Sequence, residues 1–301
     1  MAKRGPGNDK RGLGKFFGRA LPFRRRVQIL TLLICNADLR AFARGGVSRS
    51  PLKRVCVPGL NCYSCPGAIA SCPLGALQNG LAGSGFPLYI VGLLLLFGVT
   101  LGRLVCGFLC PFGLIQELLY RIPSPKLRKN ALTRRLTLLK YLFLVILVAG
   151  IPGIALVYGY GIPLFCKFIC PAGTLEAGIP LTLANSALRE GIGGLFYWKL
   201  ALLTILILLA VPVFRVFCRF LCPLGALYGL FNRYALWGIR RDRTACTHCG
   251  ACAELCRMDT RIANDRECIR CGNCVRACPV RALSNAVPGW TLRSSGAKES
   301  L

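Results

Sequence analysis

Cys246-T-H-C-G-A-C-A-E-L-Cys256 is followed, after eleven residues, by Cys268-I-R-C-G-N-C-V-R-A-Cys278-Pro279. The stretch writes C-x2-C-x2-C-x3-C twice. Each compact loop can deliver three thiolates to three corners of one [4Fe–4S] cube, while the fourth cysteine reaches the other cube. The spacing therefore assigns Cys246, Cys249, Cys252 and Cys278 to one cluster, and Cys268, Cys271, Cys274 and Cys256 to a second. A zinc ribbon needs only four ligands per site and has no use for a triple-plus-one pattern. Grouped pairs of this kind also argue for metal over a disulfide knot. Arg257 stands where the first motif would ordinarily carry proline. It removes no ligand but brings a charge close to a cluster.

Outward from this stretch the chain is apolar and basic. Of 301 residues, 54% are hydrophobic and 17% charged. The mean hydropathy of +0.54 is that of a membrane protein. Lys and Arg number 39 against 11 Asp and Glu, a net charge of +28. The basic residues cluster beside apolar runs, which suits a positive-inside distribution better than nucleic acid, and no nucleic-acid motif is present. The one histidine, His248, lies inside the first cysteine loop, and the methionines are Met1 and Met258. A haem held on both sides by His or Met cannot be built from this chain alone.

Four apolar stretches near 27–43, 86–105, 136–157 and 195–214 read as membrane spans, each of the strong ones about 20 residues long. The first is interrupted by Asn36, Asp38 and Arg40, and a re-entrant or interfacial helix is its alternative. The expected fold class is mainly α: a polytopic α-helical membrane protein of about four spans, built as an internal repeat, with a C-terminal bacterial-type 2[4Fe–4S] ferredoxin domain. The expected boundaries are a basic cytoplasmic arm at 1–26, repeat 1 with a cysteine loop at 27–120, repeat 2 at 121–239, the ferredoxin domain at 240–286 and a tail at 287–301. Basic segments at 1–26, 111–140 and 215–243 place both termini on the cytoplasmic side of a bacterial or archaeal cytoplasmic membrane. The segment 44–85 would then lie outside despite Arg44, Arg49, Lys53 and Arg54, against the charge rule.

The repeat is written in cysteines. Cys106-G-F-L-C-P-F-G matches Cys218-R-F-L-C-P-L-G, and Cys72-P-L-G-A-L faces Cys170-P-A-G-T-L. Proline and glycine end or restart a helix and leave backbone N–H groups aimed at a negatively charged cluster. The preferred assignment is an inner cluster on Cys106, Cys110, Cys218 and Cys222. An outer one would use Cys166 and Cys170 with two of Cys62, Cys65 and Cys72; Cys65 and Cys72 are favoured because each precedes proline. Cys35 and Cys56 are spare. Two other readings stay open: small core residues one helical turn apart, and redox-active thiol pairs.

Repeated C-x3-C-P at helix ends, followed by the double cysteine motif, resembles the NapH/NosR/NirI-type membrane polyferredoxins over roughly residues 20–285. The resemblance implies electron transfer between the quinone pool and redox partners, cytoplasmic-side ferredoxin clusters, and a role for Cys106/Cys110 and Cys218/Cys222. The chain departs from the pattern in lacking a flavin-binding domain before the first span, and in its extra cysteines at 56–72 and 166–170.

The function expected is iron–sulfur electron transfer by a quinol-dehydrogenase-like subunit of a membrane oxidoreductase. Its cofactors would be two [4Fe–4S] clusters, with one or two further clusters in the membrane part. Its partners would be membrane lipid, redox proteins and a quinone, although no quinone motif is readable, and no nucleic acid. Arg219, Arg257 and Arg270 should favour the reduced form of nearby clusters. The alternatives are a redox-sensing or maturation protein using cysteine pairs and, more weakly, a redox pump, which the near-absence of acidic residues in the spans disfavours.

Overall fold

The computed structural model describes residues 23–48, 50–82, 87–127, 130–150, 162–260, 263–287 and 290–292. Most of the expected basic arm and the end of the tail lie outside these residues.

The recurring unit of the helical body is a helix started by Cys-Pro-x-Gly. Proline suits the first helical position, where its missing N–H has no intrahelical partner to lose. It opens the helices Pro73–Ala82, Pro111–Leu119, Pro171–Gly173 and Pro223–Phe231. The third continues through Thr174–Gly178 into Ile179–Ala184. Cys110, Cys170 and Cys222 sit immediately ahead in extended backbone, with ψ of 115°, 113° and 109°. The first cysteine of each C-x3-C pair lies on a short helical turn, at Leu104–Phe108, Phe165–Ile169 and Val216–Phe220.

These turns pack against each other to make the core. Cys72, Cys106, Cys110, Cys170, Cys218 and Cys222 are buried with Phe165, Phe112, Phe217 and Tyr228. Phe112 and Phe217 meet edge to face at 5.2 Å. Met258 and Ile269 belong to the same core, so the C-terminal module is docked on the body. Within that module β1 (Gly238–Arg241) pairs antiparallel with β2 (Leu283–Val287), Gly238 opposite Ala286, and β2 pairs with β3 (Trp290–Leu292). Ile239, Cys268 and Leu283 form its own small core.

The membrane architecture expected from hydropathy is corrected by helix length. Among the described residues no helix is long and apolar enough to cross a membrane. The apolar helices Phe23–Cys35 and Leu88–Thr100 have 13 residues each and Gly194–Ala210 has 17. At about 1.5 Å per residue these reach roughly 20 and 26 Å, short of a hydrocarbon core of about 30 Å. Asn36-Ala37-Asp38 follows the first, Pro87 and the left-handed Gly102 bracket the second, and Pro212 follows the third. Within the stretch expected at 136–157, the helix Leu139–Phe143 widens into a π-helical turn at Leu144–Gly150, and 151–161 lie outside the described residues. Among the described residues the expected polytopic membrane class with about four spans is therefore not borne out. The multi-pass location with cytoplasmic termini loses its basis for the same reason. The mainly α character and the small C-terminal module remain.

Candidate iron–sulfur sites

In the C-terminal module, Gly250 and Gly272 each adopt a left-handed conformation at the start of a short helix, Ala251–Glu254 and Asn273–Ala277. That left-handed turn is one a glycine adopts at no steric cost. A cavity of about 60 Å³ is lined by Cys256, Cys268, Cys271 and Cys274, with Cys252, Met258 and Ile269 at its wall. The first four are the cysteines that spacing assigned to one cluster. Burial foremost, then the neighbouring thiols Cys268, Cys271 and Cys256, pushes the Cys274 thiol up to about 12. Cys256 also touches the Thr260 hydroxyl at 3.0 Å. Of the other expected set, Cys249 is exposed, while Cys246, Cys252 and Cys278 are half-buried.

A second void is lined by Cys106, Cys110, Cys218 and Cys222 together with Leu60, Val105, Phe217 and Leu224. No other side chain with a titratable group lines it. Burial raises the Cys110, Cys218 and Cys222 thiols, and neighbouring thiols of the same quartet push in the same direction. The Gly225 amide donates to Cys222 Sγ at 3.4 Å. Gln116 Nε2 donates to Cys218 Sγ at 3.1 Å.

Two arginines within the protein face this quartet. Arg103 and Arg215 are both fully buried. Arg215 Nη1 donates to the Cys106 carbonyl and its Nε to Glu117 at 2.8 Å. Glu117 also takes Arg24, at 2.6 Å. Arg103 Nη2 donates to the Cys218 carbonyl at 3.1 Å, and its Nη1 binds Glu267 at 2.6 Å. Buried guanidinium groups beside clustered thiols suit a net-negative occupant. Arg219 carries the same message. It is 5% exposed, pairs with Asp259 at 3.8 Å, and lies within electrostatic reach of Cys256.

A third group gathers where the outer set was expected. Cys62, Cys72, Cys166 and Cys170 lie within mutual electrostatic reach. Burial first, then neighbouring thiols, raises all four, Cys72 to about 11 and Cys62 and Cys170 to about 12. The structure places Cys65 beside them but turns its thiol to the Asn36 side-chain carbonyl, 3.6 Å away. Cys35 and Cys56 are buried apart from these sets.

The donor sets fit iron–sulfur clusters. They are all-thiolate, held in apolar surroundings, and met by amides and guanidinium groups that favour negative charge. Among the described residues no three His, Cys, Asp or Glu side chains converge on a point for a single metal ion. Thiolates at the corners of a cube do not converge in that way. Sequence reasoning missed Arg103, Arg215, Glu117 and Glu267. The signal was an arginine three residues ahead of two of the three C-x3-C pairs, Arg103 before Cys106 and Arg215 before Cys218.

Comparison with known proteins agrees with this chemistry. A family profile described as a 4Fe-4S binding domain matches residues 84–130, 141–179 and 195–243, which contain all three C-x3-C-P pairs. A second, also described as a 4Fe-4S binding domain, matches 263–284. The chain binds [4Fe–4S] clusters. The uncharacterized protein MJ0750 of Methanocaldococcus jannaschii is 28% identical over 62% of this chain and 73% of its own length. The methylamine utilization ferredoxin-type protein MauN of Paracoccus denitrificans is 30% identical over 61% of this chain, which spans 60% of MauN. The ferredoxin-type protein NapH of Escherichia coli is 28% identical over 75% of this chain and 76% of NapH. No solved structure matches the chain. With cysteine motifs in this order and relatives of this kind, the chain belongs to the NapH/NosR-type family of 4Fe–4S proteins.

Proposed function

We propose that this iron–sulfur electron-transfer protein conducts electrons between its C-terminal module and its helical body by way of two adjoining cysteine quartets. These are Cys256, Cys268, Cys271 and Cys274 in the module, and Cys106, Cys110, Cys218 and Cys222 in the body. The observation that carries this reading is the contact between them. Gly107, inside one C-x3-C pair, lies so close to Ile269, inside the C-I-R-C loop, that a β-carbon on Gly107 would overlap the Ile269 carbonyl oxygen. Clusters bound at the two quartets supply one-electron redox chemistry.

The chain's own residues set distance, dryness and charge. Arg103 ties the two parts together, donating at once to the Cys218 carbonyl, the Arg266 carbonyl and the Glu267 carboxylate. Lys140 adds a second cation on Glu267. Ile269, Met258 and Phe217 fill the interval with apolar side chains. Arg215 and Arg103 place positive charge beside the body quartet, which favours its reduced state. Arg240, Arg241 and Arg243 are exposed on the module and would steer an acidic redox protein to it.

Iron and acid-labile sulfide analysis of anaerobically purified protein tests the reading. Two module clusters and one body cluster require at least about twelve irons per chain, and Cys110→Ala should remove about four. A wild-type content of about eight irons or fewer, unchanged in Cys110→Ala, would overturn the body quartet.

A further inference from the structure

We propose that Cys62, Cys72, Cys166 and Cys170 form a further [4Fe–4S] site, with Cys62 as its fourth ligand in place of the Cys65 that its proline neighbour suggested. The site extends the row of clusters proposed above and rests on that reading for its role, though not for its ligands.

A rule shared by all four Cys-Pro-x-Gly helices carries the argument. The residue six positions after each cysteine reaches across to a segment of the opposing part of the core. After Cys110 it is Gln116, whose Oε1 accepts from the Phe217 amide at 3.0 Å and whose Nε2 donates to Cys218 Sγ. After Cys222 it is Tyr228, fully buried, whose hydroxyl donates to the Pro58 carbonyl at 3.0 Å. After Cys72 it is Gln78, fully buried, whose Oε1 accepts from the Cys166 amide at 3.1 Å. After Cys170 it is Glu176, whose Oε2 accepts from the Cys62 amide at 2.7 Å. In the body quartet this brace positions Cys218, a ligand. The same brace falls on Cys166 and on Cys62, and none of the four falls on Cys65.

The glycines of the motif tell the same story. An ideal β-carbon on Gly75, of the Cys72 motif, would lie 3.8 Å from Cys166 Sγ. One on Gly173, of the Cys170 motif, would lie 3.8 Å from Cys62 Sγ. Each Cys-Pro-x-Gly helix thus turns its start to the opposing cysteine whose backbone amide it also braces. Lys199 supplies the cation. Its Nζ donates to the Cys166 carbonyl at 3.2 Å and lies 3.5 Å from a β-carbon position at Gly173, the place that Arg103 and Arg215 hold beside Gly225 and Gly113. Two helix-start thiols, two opposing cysteines with braced amides and a cation beside them parallel the body quartet, where Cys218 is braced and Arg103 and Arg215 are the cations.

The test uses the full chain, purified anaerobically. Cys62→Ala should lower iron and sulfide by about four each per chain while leaving unchanged the spectroscopic signal that Cys110→Ala removes. Cys65→Ala should keep the wild-type iron content. Since Cys62→Ala could impair folding, the wild-type chain is also alkylated before and after oxidative destruction of its clusters, and the modified cysteines are mapped by mass spectrometry. Cys62, Cys72, Cys166 and Cys170 should be protected together and released together on cluster loss, whereas the reactivity of Cys65, buried without a cluster, should not change with it. Full iron content in Cys62→Ala, early alkylation of Cys62, or zinc without sulfide at these four cysteines would overturn the site. Because the Cys110-dependent signal is scored separately, failure of this site and failure of the electron-transfer reading give different results.

Discussion

Glu267→Gln should detach the C-terminal module from the helical body while sparing the cysteines themselves. The Glu267 carboxylate binds Arg103 at 2.6 Å and Lys140 at 2.5 Å, and both cations are fully buried. The amide keeps the shape and removes the charge, which strands two cations in the interior. Removing one partner of a buried ion pair costs about 3–5 kcal/mol, and one carboxylate here serves two cations, so the upper part of that range applies. Such a loss is roughly a thousandfold in the folding equilibrium. The assay is anaerobic urea unfolding, followed by loss of iron–sulfur absorbance. The variant should lose its clusters roughly a hundredfold faster or more. Adding Lys140→Met to Glu267→Gln removes one stranded cation and should recover part of the loss. The wild type should also show a pH dependence that the variant lacks. Burial opposes ionisation of Glu267, but Arg103 and Lys140 outweigh it and hold the carboxyl below its ordinary range. The stabilisation is then complete above the unfolded value of about 4.3 and is lost as pH falls through the lower folded value. A change of less than about threefold in unfolding rate, the scale of an exposed ion pair, would refute the reasoning.

Gly107→Ala forces a β-carbon onto the Ile269 carbonyl, where neither backbone segment can yield cheaply; a loss of about 1–3 kcal/mol is expected, read as a lower thermal midpoint. Asn232→Ala removes donors to the Asp265 and Cys268 carbonyls and the acceptor for the Arg103 amide, at an expected loss of about 2–3 kcal/mol in urea unfolding. Arg215→Met takes a buried cation from the body quartet and should lower the reduction potential of its cluster in an EPR-monitored titration, while the module clusters keep theirs. Gly102→Ala, at φ +52° and 2.9 Å from the Asn232 side-chain oxygen, should cost on the order of 1 kcal/mol or more in the same unfolding assay.

The local cysteine chemistry was legible in the sequence because thiolate spacing and Cys-Pro-x-Gly are short-range geometry. Cys256, Cys268, Cys271 and Cys274 line one cavity, and Cys106, Cys110, Cys218 and Cys222 line one void, as spacing and repeat suggested. Contacts between distant segments were not legible. Which of Cys62 and Cys65 faces Cys170 depends on a hydrogen bond from the Cys62 amide to Glu176, 114 residues away. The docking of the module depends on Arg103 and Lys140 meeting Glu267, and nothing near those two residues marks a carboxylate partner. Hydropathy misled on the membrane because it averages over windows and does not see where a helix stops. Leu88–Thr100 and Gly194–Ala210 are as apolar as spans, and Leu95, Leu96 and Leu208 are exposed along them, yet Gly102 and Pro212 mark their ends too early.

The most direct test of the adjoining quartets is EPR of the fully reduced protein at low temperature. Clusters seated on either side of the Gly107–Ile269 contact interact magnetically, so the wild type should show a splitting additional to that between the two module clusters, and Cys222→Ala should abolish the additional splitting and leave the module pair's own spectrum. A wild-type spectrum identical to that of Cys222→Ala would contradict the account.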